Sequence, residues 1–298
     1  MIRPAVRLTA TSARSVIVVA GGALLILLAS CSRCLAQQAA LASIPEETLA
    51  EKVNDPTANL TQITFQNLYA PAEYGTNAQP NTLQIRPLLA VRPQLFTPLE
   101  QLIGPTFEVV TVPRGKGAST TTALGDMQLL DLFVMPRPNS ELTRFRWGIG
   151  PYFVFPTSTT QFSGQGAWQM GPAAAFSFRQ IPRLNIAGLF QQATSFAYTS
   201  SRSVPVTSLT IQPILSYQLG RGWYLKSSDA TWTINFRHNT STRIPLSAGF
   251  GKVWKFGEGY SINASVSGEW MAYRQFSTQT EQFRLRFQIG LLLPQAEL

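Results

Sequence analysis

The residue types that most often perform chemistry are scarce in this chain. Its 298 residues include one histidine, His238, and two cysteines, Cys31 and Cys34. His238 stands between Arg237 and Asn239 in a polar stretch that is typical of a solvated loop. A lipid hydrolase would need a serine nucleophile and an orienting polar group held close to that histidine. The sequence shows no such arrangement, so we expect no catalytic residues and no enzyme, with a lipid hydrolase as the least favoured alternative.

Sites for metals, cofactors and nucleic acids also find little support. One histidine and dispersed carboxylates do not make the ligand clusters that zinc or calcium requires. The stretch Gly115-Lys116-Gly117 lacks the spacing of a phosphate-binding loop. The 24 basic residues outnumber the 15 acidic ones, but they are scattered rather than clustered. We expect no metal, no cofactor and no nucleic-acid partner.

The remaining candidates are charged residues on one phase of alternating segments. In 283–293 the residues Phe283, Leu285 and Phe287 alternate with Arg284 and Arg286. An arginine that faces lipid at the bilayer midplane costs about 2–4 kcal/mol. The phenylalanine face is therefore expected to meet lipid, and the arginines are expected to face inward.

Similar alternation recurs along the chain and predicts its fold. Runs such as 209–219 and 260–270 are about eleven residues long, the length of a tilted strand that crosses a membrane and about double a usual globular strand. Charged residues make up only 13% of the chain. We predict an all-β fold, a transmembrane antiparallel up-and-down β-barrel of about twelve strands in which strand one pairs with strand twelve. The strands are predicted at 62–69, 82–92, 104–113, 124–135, 145–156, 166–179, 183–192, 207–219, 223–236, 245–256, 260–274 and 281–293.

The connections between the predicted strands differ in length. Tight turns follow strands six, eight and ten, and polar loops follow the odd-numbered strands, including 70–81, 114–123, 157–165, 193–206 and 237–244. Short periplasmic turns and longer outer loops are typical of outer-membrane barrels. Asp131 and Lys252 fall on the apolar phase of their strands. A bulge, a register shift or an interfacial depth could each explain them.

The inward phase supplies the candidate functional residues. These lumen-facing candidates are Arg86, Arg92, Glu108, Asp126, Arg146, Arg179, Arg237, Glu269, Arg284 and Arg286. Two interpretations stay open. The arginines line a water-filled pathway that favours anionic solutes, or they pair with the carboxylates and brace a largely filled interior.

The N-terminus predicts export. Three arginines precede the uncharged apolar run 16–29, which has the length of a signal-peptide core. Residues 1–36 are expected to be a signal peptide, cleaved after Ala36 or, in the manner of a lipoprotein, before Cys31. Its removal leaves 20 basic against 15 acidic residues, a net charge of +5. Residues 37–61 are predicted to form a periplasmic leader with a short helix, and 62–294 the barrel.

Several short stretches resemble a known family. They are Asp55-Pro56-Thr57-Ala58-Asn59-Leu60, Leu83-Gln84-Ile85-Arg86-Pro87, Gly148-Ile149-Gly150-Pro151, Trp168-Gln169-Met170-Gly171-Pro172, Gly222-Trp223-Tyr224-Leu225 and Leu285-Arg286-Phe287-Gln288. In this order, over about 46–294, the sequence is similar to the Gram-negative outer-membrane barrels named after the MetA pathway of phenol degradation. These are also labelled transporters and often mislabelled neuromedin U. The resemblance implies an outer-membrane β-barrel, small-molecule passage and no catalytic residue.

These features together predict a role at the cell outer membrane. We expect a narrow channel or binding pathway for small molecules, either hydrophobic or anionic. The alternative is a structural or adhesive barrel that does not conduct. The expected partners are outer-membrane lipid, the outer-membrane assembly machinery and a small-molecule solute, and the oligomeric state is left open.

Overall fold

The computed structural model describes residues 49–91, 99–114, 119–135, 145–199, 205–227, 230–237, 241–256, 260–275 and 280–293. These residues contain one helix, α1, at Leu49–Val53. No helix in this part of the chain is long and apolar enough to cross a membrane. The strands are β1 Thr61–Tyr74, β2 Asn81–Val91, β3 Glu100–Pro113, β4 Thr120–Leu124, β5 Met127–Val134, β6 Phe145–Phe155, β7 Ala167–Phe178, β8 Leu184–Tyr198, β9 Thr207–Gly220, β10 Trp223–Ser227, β11 Trp232–Asn235, β12 Thr242–Phe256, β13 Tyr260–Gln275 and β14 Thr280–Leu293.

The strands close into one antiparallel barrel. β1 pairs with β2 on one side and with β14 on the other, and β13 joins β14 to β12. β4 and β5 both pair with β3, while β10 and β11 both lie between β9 and β12. The fourteen segments therefore occupy twelve positions in the wall, which confirms the predicted twelve-strand barrel. Closure matters because an open edge in lipid would leave backbone groups without partners.

Several strands are longer than the alternation predicts. β1 continues to Tyr74 rather than residue 69, β8 continues to Tyr198 rather than 192, and β4 begins at Thr120 rather than 124. The predicted loops 70–81, 114–123 and 193–206 are correspondingly shorter. Apolar alternation marks only the part of a strand that has an apolar environment on one side, whereas backbone pairing continues beyond it.

The two ends of the barrel differ. The first residue of β1, the last residue of β14 and the turns 179–183 and 221–222 lie at one end, here called the turn end; the opposite end is the loop end. At the 221–222 turn, Arg221 and Gly222 both have positive φ, 52° and 81°. This is the backbone that tight hairpins favour. A Cβ on Gly222 would lie 2.3 Å from the carbonyl oxygen of Val253, so only glycine fits there.

Side chains alternate strictly across the wall. On β14, Phe287 and Ile289 are 51% and 59% exposed on the outer face, whereas Arg286 is buried on the inner face. Aromatic and aliphatic residues from every part of the wall share the outer face, among them Phe65, Phe107, Trp147, Trp168, Phe250 and Trp270. Such an outward apolar band is the surface that lipid requires.

Asp131 lies on the outer face, as its phase predicts, and accepts a hydrogen bond of 2.8 Å from the side chain of Gln101. It stands at a gap in the β5–β6 pairing, between the pairs Leu130–Tyr152 and Phe133–Ile149. Pro151, which lacks an N–H group, lies in this gap. The backbone pairing of β5 with β6 is therefore interrupted at the point where Asp131 departs from the apolar alternation of the outer face.

Residues 49–60, here called the N-terminal segment, lie against the inner wall at the turn end. Ala50, Ala58 and Leu60 pack against the inward side chains of Tyr224 and Val253, with Leu292 in the same cluster. The sequence assigns these residues to a leader that precedes the barrel. In the structure they include the helix α1 and are packed against the inner wall.

Candidate functional site

The inner wall holds a buried ion cluster centred on Glu269. On β13, Glu269 is 1% exposed and faces two arginines of the neighbouring β14. Arg284 donates through Nη2 to Oε2 at 2.6 Å, and Arg286 donates through Nε to Oε1 at 2.9 Å and approaches the same oxygen through Nη2 at 2.7 Å. Arg284 also lies 3.7 Å from the Oε1 atom of Glu281. Both oxygens of Glu269 are thus engaged by guanidinium groups.

Amides continue this cluster around the wall. Arg286 donates to Gln66 at 3.2 Å, Gln66 donates to Gln84, and Gln84 donates to Glu108 at 2.8 Å. Gln128 donates to the same oxygen of Glu108 at 3.1 Å, and the Tyr152 hydroxyl donates to Gln128 at 2.8 Å. We call this connected set the polar belt; its members are Gln66, Gln84, Glu108, Gln128, Tyr152, Glu269, Arg284 and Arg286. It runs over β13, β14, β1, β2, β3, β5 and β6.

The side chains of the polar belt are paired with one another because most of them are buried. An isolated charge buried in an apolar interior is very costly, and a buried polar group needs a hydrogen-bond partner. Each carboxylate of the polar belt has donors on neighbouring strands, and Arg86 and Arg284 also lie within electrostatic range of Glu108. The polar belt therefore stiffens one side of the barrel by linking each strand to its neighbour through side chains as well as through the backbone.

An apolar group of inward residues lies on the turn-end side of the polar belt. Its centre consists of three side chains that are at most 1% exposed, Leu102, Leu132 and Val134. They pack with Ala175 and Leu189, and three partly buried residues surround them: Leu88, Ala90 and Leu130. We call these eight residues the apolar patch. Gly148 on β6 makes room for it, because a Cβ there would lie 3.1 Å from Cγ of Leu132. The inner wall thus changes from charged to apolar along the barrel axis.

The structure brings together half of the residues that the sequence singles out. Glu108, Glu269, Arg284 and Arg286 belong to the polar belt, and Arg86 lies beside Glu108 on the inward phase of β2.

Three other candidates make different contacts. Arg146 pairs with Glu100 at 2.5 Å near the turn end, at the start of β6. Arg179, just past β7, pairs with Asp55 of the N-terminal segment. Asp126, in the break between β4 and β5, accepts hydrogen bonds from the backbone of Ser158 and Gln165 and so holds the connection between β6 and β7.

The last two candidates lie elsewhere. Arg237 stands past the end of β11 and is exposed, so it is not part of the polar belt. Arg92 lies outside the described residues, as do His238, Gly115-Lys116-Gly117 and both cysteines. Among the described residues, no group of three or more histidine, cysteine, aspartate or glutamate side chains could hold a metal ion.

Several hydrogen-bond and ion-pair partners of the candidate residues could not be identified from the sequence. Gln66, Gln84 and Gln128 carry no charge, so a search for charged residues passes over them, although each lies on the inward phase of a predicted strand. Glu100 and Asp55 lie outside the predicted strands. Their pairing with Arg146 and Arg179 could be found only from the fold.

Comparison with known proteins supports the architecture. No protein-family model matches the sequence, and no curated protein matches it. Among solved structures, the chain is similar to the COG4313 outer membrane channel from Pseudomonas putida F1, with a TM-score of 0.56 and 13% identity over 85% of this chain and 100% of that chain. The fold is therefore that of an outer-membrane β-barrel. Membership of the phenol-degradation family stays a prediction.

Two porins also match at lower TM-scores. The NanC porin has a TM-score of 0.46 and 9% identity over 78% of this chain and 99% of that chain. The KdgM porin has a TM-score of 0.42 and 9% identity over 77% of this chain and 97% of that chain.

Proposed function

We propose that the chain is an outer-membrane channel for small, uncharged solutes with an apolar part. The observation that carries this proposal is the composition of the inner wall, where the paired polar belt borders the apolar patch. A purely structural barrel has no need of two chemically distinct zones along its axis. The similar barrel from Pseudomonas putida F1 is an outer membrane channel, which supports this proposal.

The state of the arginines argues against strong anion selectivity. Arg146, Arg179, Arg284 and Arg286 each form an ion pair with a carboxylate. A guanidinium group that is already paired contributes much less field to the pathway than a free one would. Of the two interpretations that the sequence leaves open, the bracing role is therefore the better supported.

The apolar patch favours solutes that carry an aromatic or aliphatic group. Its leucines now contact one another. They can contact such a group of a solute equally well, because non-polar contact is not directional. The amides and the Tyr152 hydroxyl of the polar belt can exchange hydrogen bonds with hydroxyl or carbonyl groups. A solute with both parts can contact both zones.

Two glycosides of one sugar test this proposal. Liposomes that contain the purified chain are challenged with a methyl glycoside and a phenyl glycoside of the same sugar, and swelling rates are compared. We expect the phenyl glycoside to enter at least as fast as the smaller methyl glycoside. The double variant Leu102→Gln, Leu132→Gln should lower the phenyl-to-methyl rate ratio severalfold, because the amides leave the apolar patch hydrated.

A variant on the polar belt supplies the control. Gln128→Leu changes an inward residue of the same strand as Leu132 without adding a polar group to the apolar patch, so the ratio should not fall. If neither glycoside enters vesicles that contain correctly folded protein, the channel proposal is wrong. A structural barrel that does not conduct would then be the better explanation.

A further inference from the structure

A lysine on the outer face of the barrel is flanked by two tryptophans. Lys252 lies on β12 directly opposite Trp223 of β10, and Trp254 follows two residues later on the same face. The Lys252 Nζ atom lies 4.9 Å from the ring centroid of Trp223 and 5.3 Å from that of Trp254. Both distances are within the range of cation–π attraction. These three residues, here called the lysine cage, lie well away from the polar belt, which is on the inner wall.

The position of the lysine cage along the wall is interfacial. Trp223 is the first residue of β10 and follows the 221–222 turn, and Lys252 lies four residues before the end of β12. Phe256 and Tyr260 stack at 5.9 Å across the neighbouring connection. Aromatic residues are enriched where the barrel wall crosses the boundary between hydrocarbon and headgroups. A lysine that faces lipid lowers stability by about 0–1 kcal/mol at that depth, compared with about 2–4 kcal/mol at the bilayer midplane. The lysine cage is therefore at the level of lipid headgroups on the turn end.

The charge around the lysine cage is positive. Arg221 and Lys255 are exposed at the same rim, and no carboxylate in the described part of the chain forms an ion pair with Lys252. Glu258 is in the connection 257–259, outside the described residues. Two indole rings attract an ammonium group but supply no counter-charge. A ligand with one negative charge at headgroup depth would supply it.

The surface beside the lysine cage suits acyl chains. The partner of Lys252 on β13 is Ala264, a small residue that lies between the outward residues Ile262 and Val266. Phe250, 50% exposed, lies on the midplane side of Lys252. An acyl chain can therefore run from Lys252 towards the middle of the bilayer over a continuous apolar surface.

We propose that Lys252, Trp223 and Trp254 bind the phosphate of an anionic phospholipid, such as phosphatidylglycerol, in the leaflet at the turn end. The ammonium group donates hydrogen bonds to the phosphate oxygens while the indole rings hold it in place. A phospholipid rather than a lipopolysaccharide is the expected ligand, because the turn end of such barrels lies on the periplasmic side, where the leaflet consists of phospholipid. The proposal rests on the proposed outer-membrane location.

Lipid retention measured by native mass spectrometry tests this site. The purified full chain is released from micelles doped with equal amounts of phosphatidylglycerol and phosphatidylethanolamine, and retained lipids are counted. We expect wild type to retain phosphatidylglycerol with about threefold to tenfold preference, the range of one charge-assisted hydrogen bond. Lys252→Gln should abolish the preference, and Lys252→Arg should keep most of it.

Lys255→Gln is the matched control, because it removes one positive charge from the same rim but not from the lysine cage. An equal loss of preference in Lys255→Gln and Lys252→Gln would show a diffuse charge effect and overturn the site. Absence of any preference in wild type would overturn it as well. Failure of the chain to insert into phospholipid vesicles would instead contradict the proposed function.

Discussion

At the scale of single residues, Glu269 is the most constrained charge of the inner wall. Its two oxygens meet Arg284 and Arg286 within 3 Å, and it has almost no contact with solvent. Because Arg284 and Arg286 both bind Glu269, this one carboxylate offsets the charge of two guanidinium groups. Removing it leaves Arg286 without this carboxylate partner and Arg284 with the 3.7 Å contact to Glu281.

The first prediction concerns this carboxylate. Glu269→Gln should lower the free energy of unfolding by about 3–5 kcal/mol, because it leaves buried charges without their partner. The temperature of the heat-dependent gel shift of the folded barrel measures this loss. Glu281→Gln is the control: Glu281 is only partly buried and lies 3.7 Å from Arg284, so its loss should cost less than about 1 kcal/mol. Equal losses in the two variants would contradict the role given to Glu269.

The second prediction separates bracing from selectivity. In the double variant Arg284→Ser, Arg286→Ser, Glu269 loses both partners, so the barrel should lose stability by a few kcal/mol. The reversal potential under a salt gradient should change little. If the arginines instead set an anion preference, the reversal potential would shift towards cation selectivity, and the shift would fade as salt screens the field.

At the scale of elements, a carboxylate contributes to holding each of two segments in place. Asp55 joins the N-terminal segment to Arg179, and its other oxygen accepts hydrogen bonds from the backbone and the hydroxyl of Thr57. The amide of Asn185 donates to the carbonyl of Asn54 in the same place. Asp126 similarly holds the connection between β6 and β7 at the loop end.

The third prediction concerns the N-terminal segment. Asp55→Asn removes the charge that faces Arg179, and a loss of about 3 kcal/mol would raise the undocked fraction about a hundredfold. Single-channel conductance should increase, because the segment packs against the inner wall of the mouth. Arg183→Gln, an exposed change at the same end, should leave the conductance unchanged. A conductance that stays at the wild-type level in Asp55→Asn would show that the segment does not restrict the path.

The fourth prediction concerns the connection between β6 and β7. Asp126→Ala removes the acceptor for two backbone N–H groups, so this connection should become mobile. Chymotrypsin should then cleave after Phe162, which is 45% exposed, several times faster than in wild type. Asp131→Ala, on the outer face, should leave the cleavage rate unchanged. Equal rates in all three proteins would mean that Asp126 does not hold the connection.

These elements show which parts of the structure the sequence could predict. The period of two gives the strand positions and the inward phase, because each strand has lipid on one side and the interior on the other. It does not give the β4–β5 and β10–β11 breaks or the extensions of β1 and β8, which leave no mark in the apolar pattern. Partners such as Gln84 and Gln128 depend on register across strands far apart in sequence. The docking of the N-terminal segment depends on Asp55 meeting Arg179, 124 residues away.

At the scale of the whole molecule, the barrel combines an apolar outer band with an inner wall of two zones. The twelve strands make a barrel between small ones, which side chains fill, and sixteen-stranded porins, which leave an open aqueous channel. The apolar patch and the N-terminal segment both lie on the turn-end side of the polar belt. A narrow path with little charge selectivity is the behaviour that this arrangement predicts.

Single-channel recording in planar bilayers tests this account most directly. The purified wild-type chain is recorded with a tenfold potassium chloride gradient across the bilayer, over a range of mean salt concentrations. We expect discrete events of small conductance whose reversal potential stays close to zero, because Arg146, Arg179, Arg284 and Arg286 are each paired with a carboxylate. A reversal potential near the chloride equilibrium value would contradict the pairing, and the absence of channel events at every salt concentration would contradict the channel itself.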